Sequence, residues 1–164
     1  MTTGSPILQS GNITPAHLVS WTTDGVVQDA GVAIAATYGV FNAVISGVNF
    51  SLFNTDFPIS LPLPTGFTRY RIHDIIISGA SASLASATCG VFTQAGGLGQ
   101  AIVTGSTAVT ITATAADTIN NMQVLTINNQ NIVAWSDTTI YFRVQTNLGT
   151  FQTASVTVNY EPLP

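Results

Sequence analysis

The sequence predicts an all-β fold, a β-sandwich or jelly roll with an extended N-terminal arm. Three observations lead there. Apolar and polar residues alternate with period two in several short runs rich in β-branched and aromatic residues, the signature of half-buried strands. Clusters of Gly, Pro, Asn and Asp separate those runs at nearly regular spacing, and these residues supply turn geometry. From about residue 48 onward no amphipathic helix with a cap is evident. Short strands so spaced indicate two stacked antiparallel sheets rather than a parallel α/β sheet. The organisation expected is an arm and attachment segment over 1–47 and a β-sandwich domain over 48–164.

The arm is rich in Gly, Ala and Thr and has little clean periodicity. Thr14 and Pro15 suit the N-cap and first position of a helical turn through His17 and Leu18. Thr23-Asp24-Gly25 reads as a turn opening a short strand at Val26-Val27. The apolar stretch from Gly31 to Ile45 is compatible with strand or helix. Pro58, Pro62 and Pro64 lack the N–H a ladder needs, which places their segment at a sheet edge. Pro64-Thr65-Gly66 then turns into a strand in which Tyr70, Ile72 and Asp74 alternate with Arg69, Arg71 and His73 before Ile75-Ile76-Ile77.

Ala87-Thr88-Cys89-Gly90-Val91-Phe92 is an apolar strand-like run, and the glycine-rich turn Gln94–Gly99 divides it from the next. Val109 and Ile111 alternate with Thr110 and Thr112. After a break at Ala116-Asp117 come Val124, Leu125 and Ile127, and after a second at Asn128–Asn131 the alternating run Ile140–Gln145. Asn147-Leu148-Gly149 reads as a short hairpin into the final strand around Val156, Val158 and Tyr160. Seven or eight strands result.

Composition narrows the function. A chain of 164 residues buries roughly 70% of its unfolded surface on folding, enough for one core. Charged residues are only 6% of it, against about 25% in average soluble domains. Thr, Ser, Asn and Gln must therefore wet the surface. A neutral surface repels its copies weakly and favours association. It suits a subunit covered by neighbours better than a durable secreted monomer. There is no lysine; Arg69, Arg71 and Arg143 are the only strong bases, and net charge is −4. Nucleic-acid affinity comes from several phosphate neutralisations, so nucleic acid is not an expected partner.

The N-terminus has neither the basic region nor the apolar region of a signal peptide, and the longest apolar stretch is shorter than the roughly 20 residues of a membrane span. A protein made in the cytoplasm, with no membrane partner, is expected. Lone Cys89 forms no intrachain disulfide and reads as a buried, inert thiol.

Catalytic chemistry finds no foothold. His17 and His73 are the only histidines, and adjacent strand residues such as His73 and Asp74 point to opposite faces. The seven carboxylates are scattered, metal-ligand spacing is absent, and Ala95–Gly99 lacks the following Lys-Ser/Thr of a phosphate cradle. No enzyme activity, cofactor or metal is expected. Arg69 or Arg71 is a candidate to pair with Asp74, Asp137 or Glu161. Trp135 and Tyr141 read as core aromatics, with a sugar-binding platform as the alternative.

One stretch is specific. Between Ile7 and Gly31 stand Gly11-Asn12, Thr14-Pro15, His17, Trp21, Asp24-Gly25-Val26 and Asp29-Ala30-Gly31. This spacing resembles a recurrent N-terminal module of tailed-bacteriophage virion proteins. The segment from Leu61 through Arg71 to the terminal Tyr160–Pro164 resembles, more loosely, small β-domains of phage structural modules. The first resemblance spans under a fifth of the chain.

The resemblance implies a virion part whose N-terminal module attaches to the particle. The candidate attachment residues are Pro15, His17, Leu18, Trp21, Val26 and Val27. The chain has neither the long shaft nor the β-helix of a tail spike, which favours a capsid decoration or cement protein of head-fibre type. The partners then expected are copies of itself, as a homotrimer, and the major capsid protein or another virion protein. A tail or head fibre module binding host-surface glycan is the alternative.

Overall fold

The computed structural model describes residues 39–112, 121–128 and 135–163, together with the backbone of three N-terminal strands. The chain divides into two compact units between Gly39 and Val40. The first unit carries β1 (Leu8–Ser10), β2 (His17–Trp21) and β3 (Val26–Ala33). They form a three-stranded sheet in the order β1-β3-β2, with β1 parallel and β2 antiparallel to β3. The segment expected as an arm with local turns thus has a paired sheet of its own. The helical turn expected from Thr14 falls partly outside the described residues, and His17 onward is strand.

The second unit holds β4 (Phe41–Asn49), β5 (Thr55–Ser60), β6 (Arg69–Ser78), β7 (Thr88–Gln94), β8 (Leu98–Ala108), β9 (Met122–Leu125), β10 (Thr139–Thr146) and β11 (Thr153–Leu163). One four-stranded sheet runs β4-β11-β6-β9 and the other β5-β10-β7-β8. All their pairings are antiparallel. Within this unit the first strand pairs the last, the second the next to last, β6 pairs β9 and β7 pairs β8. That nested pairing is an antiparallel ribbon folded in half and wrapped so that successive pairs fall in opposite sheets. It is the jelly-roll arrangement, and the all-β sandwich the sequence predicts is the fold observed.

Period-two patterning builds the core. β11 alternates strictly, burying Ala154, Val156, Val158, Tyr160 and Pro162. β10 buries Ile140, Phe142 and Val144. Phe50 meets Phe142 edge-on at 5.9 Å between ring centroids, and Tyr70 meets Tyr160 likewise at 6.0 Å. Each such fully buried side chain contributes about 1.5–3 kcal/mol of transfer free energy. The Tyr160 hydroxyl keeps a partner by donating to the Pro62 carbonyl at 2.8 Å.

Several expectations change. β4 straddles the boundary expected after residue 47, because its Ile45 and Val48 pair with Val156 and Ala154 of β11. The alternation read through Asp74 breaks at a bulge. Asn159 pairs with Asp74 but Tyr160 with Ile72, leaving His73 as the extra residue. The slip turns Ile75 and Ile77 into the core. Asp74 meets Asn159 instead of sharing the Tyr70 and Ile72 face; Asn159 Nδ2 donates to its Oδ1 at 2.6 Å.

Val109–Thr112 is not a strand. β8 ends at Ala108, and Val109 N–H donates to Ala87 O while Leu84 N–H donates to Ile111 O. These single bonds hold Val109 and Ile111 in the core without a ladder. Asn147-Leu148-Gly149 is not a hairpin either, since β10 and β11 lie in different sheets. The segment crosses the end of the sandwich. Leu148 N–H donates to Phe50 O at 3.0 Å, and Phe50 N–H donates to Gln152 O at 2.8 Å. Gly149 turns there with φ +72°. Pro58 sits in β5, which is an edge strand, as its missing donor requires.

Candidate functional site

The residues expected to attach the chain lie in the first unit. His17, Leu18 and Trp21 are in β2, and Val26 and Val27 are in β3. Trp21 and Gln9 both stand opposite Val27, so three strands align there, and Leu18 lies where the β2–β3 register shifts. Pro15 lies outside the described residues.

In the second unit the outer face of β4-β11-β6-β9 carries an apolar row. Val44 pairs with Thr157, Thr157 with Ile76, and Ile76 with Val124. Val44 is 57%, Val124 55% and neighbouring Met122 58% exposed, large values for apolar side chains on paired strands. Next to the row come Ser78 and Ser155, paired with each other, with no charge between. Strand alternation forces this face outward. Of three consecutive isoleucines, the middle one must point away from a core that takes Ile75 and Ile77. That was the signal available in the sequence for this surface.

Charge lies away from this row, on the other sheet and farther along the same outer face at Asp74 and Glu161. Arg143 Nη1 donates to Asp56 Oδ1 at 2.7 Å, and Gly96 N–H donates to Asp56 Oδ2 at 2.6 Å. The bridge therefore ties β5 and β10 to the short 3-10 turn Ala95–Gly97. Glu161 stands opposite Arg71 in the β11–β6 ladder, and its Oε2 lies 3.3 Å from His73 Nε2. Cys89 is fully buried, and burial pushes its thiol up to about 12. Among the described residues no group of three or more His, Cys, Asp or Glu is placed to hold a metal ion. No helix among them is long and apolar enough to cross a membrane.

The two candidate sugar-platform aromatics part company. Trp135 is 6% exposed and exchanges two backbone hydrogen bonds with Tyr70, each 2.8 Å. Tyr141 is half-buried on the outer face of β10 and borders an open cleft of about 420 Å³. Thr93, Gln94 and Ala95 form one side of that cleft, and Ser136, Asp137, Thr138 and Thr139 form the other. Sequence reasoning did not find it, because its sides lie some forty residues apart in the chain; only the pairing of β10 with β7 joins them.

Compared with known proteins, the chain matches no family model, no curated protein and no solved structure.

Proposed function

We propose that this chain is a structural component of a tailed-phage particle, a capsid decoration or cement protein of head-fibre type. It binds the virion surface and copies of itself, as a homotrimer. The observation that carries this reading is the uncharged, partly apolar patch at Val44, Ile76, Val124 and Met122 on the outer face of the β4-β11-β6-β9 sheet. Contiguous exposed apolar surface costs solubility in a monomer and is a common mark of an interaction surface. The low charge of the whole chain supports the same reading, since copies repel weakly. Jelly rolls occur in viral capsid domains and in lectins alike, so the fold alone does not choose between functions. The N-terminal resemblance supports the particle, and the candidate attachment residues fall in a compact unit of their own.

Burial of the apolar row contributes about 25 cal/mol per Å² before ordering costs. Repetition over a symmetric shell multiplies weak single contacts. The test is immunogold electron microscopy of virions with antibody against residues 40–164. Label spread over the shell is the expected result. Label confined to the tail moves the chain to a fibre, and absence of label from every particle overturns the virion reading.

A further inference from the structure

We propose that the cleft between the Thr93–Ala95 edge and Ser136–Thr139 is a binding site for a neutral saccharide, with Tyr141 as the stacking platform and Asp137 as the principal acceptor. The site belongs to the folded sandwich and stands whether or not the chain assembles on a particle.

Both walls are pinned. On one side Thr93 Oγ1 accepts from Gln100 N–H at 3.0 Å, and Gly96 N–H is held by Asp56, itself bridged to Arg143. On the other, the Thr138 carbonyl accepts from Leu61 N–H at 2.8 Å, and Trp135 is bonded to Tyr70 on both its backbone groups. Fixed walls lower the ordering cost of binding. Tyr141 is the aromatic residue of the lining. Tyr141 stands between Pro58 of β5 and Phe92 of β7 in one cross-strand row on the outer face. A half-exposed phenol ring flanked by a proline and a buried phenylalanine offers a flat surface to the C–H face of a sugar ring.

The rest of the lining is hydroxyl, amide and carboxylate. Ser136, Thr138 and Thr139 both donate and accept, Gln94 does each with separate atoms, and ionised Asp137 accepts only. Two oxygens of one carboxylate suit two neighbouring hydroxyls, and such charge-assisted bonds are roughly twice as strong as neutral ones. Other ligand classes fit worse. An anion meets the Asp137 carboxylate, and no arginine or histidine is among the described residues of the lining. A metal ion finds one carboxylate where it needs several ligands. An apolar ligand meets a wall of hydroxyls in an open cleft rather than an enclosed apolar pocket.

The test uses the full chain with methyl glycosides of glucose, galactose, mannose and N-acetylglucosamine as probes. Saturation-transfer NMR detects binding, and amide chemical shifts locate it. At millimolar sugar, at least one glycoside is expected to receive saturation and to shift resonances of 93–95 and 136–141. Asp137→Asn and Tyr141→Ala are each expected to weaken binding about tenfold or more, whereas Tyr141→Phe, which keeps the ring, retains most of it. Thermal melts identify any variant that fails to fold; Asp137 is exposed, so its substitution decides the matter if Tyr141→Ala unfolds. No saturation of any probe, shifts confined to another surface, or undiminished affinity in Asp137→Asn overturns the proposal.

Discussion

Asn121 closes on Ala80 from both backbone sides: its Oδ1 accepts from Ala80 N–H at 2.6 Å, and its Nδ2 donates to Ala80 O at 3.0 Å. Its own carbonyl accepts from Gly79 N–H at 3.2 Å. The side-chain amide thus continues the β6–β9 ladder past its last strand pair, Ser78 with Met122. Gln123 does the same work between sheets, accepting from Thr110 N–H at 2.7 Å and donating to Ala108 O at 2.9 Å. In a chain with few charges, amides serve as surrogate backbone. Asn121→Ala leaves two buried backbone groups of Ala80 unsatisfied and is expected to cost about 1–3 kcal/mol for each. Asn121→Asp keeps the acceptor, loses the donor and buries a charge, so it is expected to be at least as damaging. Urea midpoints at unchanged slope read both.

The Asp56–Arg143 bridge is four-fifths or more buried on both sides, with side chains 19% and 13% exposed. Asp56→Ala removes the partner of the Arg143 guanidinium and of Gly96 N–H together. The expected cost is about 1.5–3 kcal/mol, the range for hydrogen bonds to charged groups. Amide exchange should accelerate most in 95–97, the turn that the carboxylate holds.

Gly90 lies against Gly105. A Cβ on Gly90 would stand 2.6 Å from Gly105 Cα and 2.8 Å from a Phe92 ring carbon. Two backbones cannot both give way within one ladder, so Gly90→Ala is expected to destabilise by about 1–3 kcal/mol. Chemical denaturation checks it, and a neutral result would mean that β8 shifts freely.

The outer-face row predicts an assembly phenotype. Val44→Asp with Val124→Asp places two carboxylates on the surface proposed to meet another copy. Analytical ultracentrifugation should find the proposed homotrimer reduced to monomer, with the thermal midpoint of the sandwich little changed, since both sites are more than half exposed. Trimers that persist in the double variant would put the interface elsewhere.

Alkaline pH should weaken the fold. Burial raises the Cys89 thiol from its ordinary value of 9.0 to about 12, and burial, then the Asp137 carboxylate, raises the Tyr70 phenol. For both groups the unfolded chain loses its proton first, so stability is full below about pH 9 and falls as pH rises towards 12. Urea midpoints at pH 7, 9 and 10.5 read this decline. The same burial predicts that native Cys89 reacts with thiol reagents only after urea is added.

The sequence by itself determined the fold class and most of the strands. Alternating runs such as Ile140–Gln145 and Val156–Tyr160 leave one face apolar, and that face can only be buried against a second sheet. It also determined that Pro58 stands at an edge, because a residue without an N–H has no place in a central ladder. The tertiary structure alone decided which strands share a sheet. Asn147–Gly149 has the composition of a hairpin, yet it bridges the two sheets because Leu148 and Phe50 exchange a bond across the sandwich end. The bulge at His73 was likewise illegible, for one extra residue leaves the local pattern almost intact while it re-aims Asp74, Ile75 and Ile77. The polar cleft depends on that long-range pairing too. Local alternation is written in neighbours along the chain, whereas register, bulges and clefts arise from partners that only burial brings together.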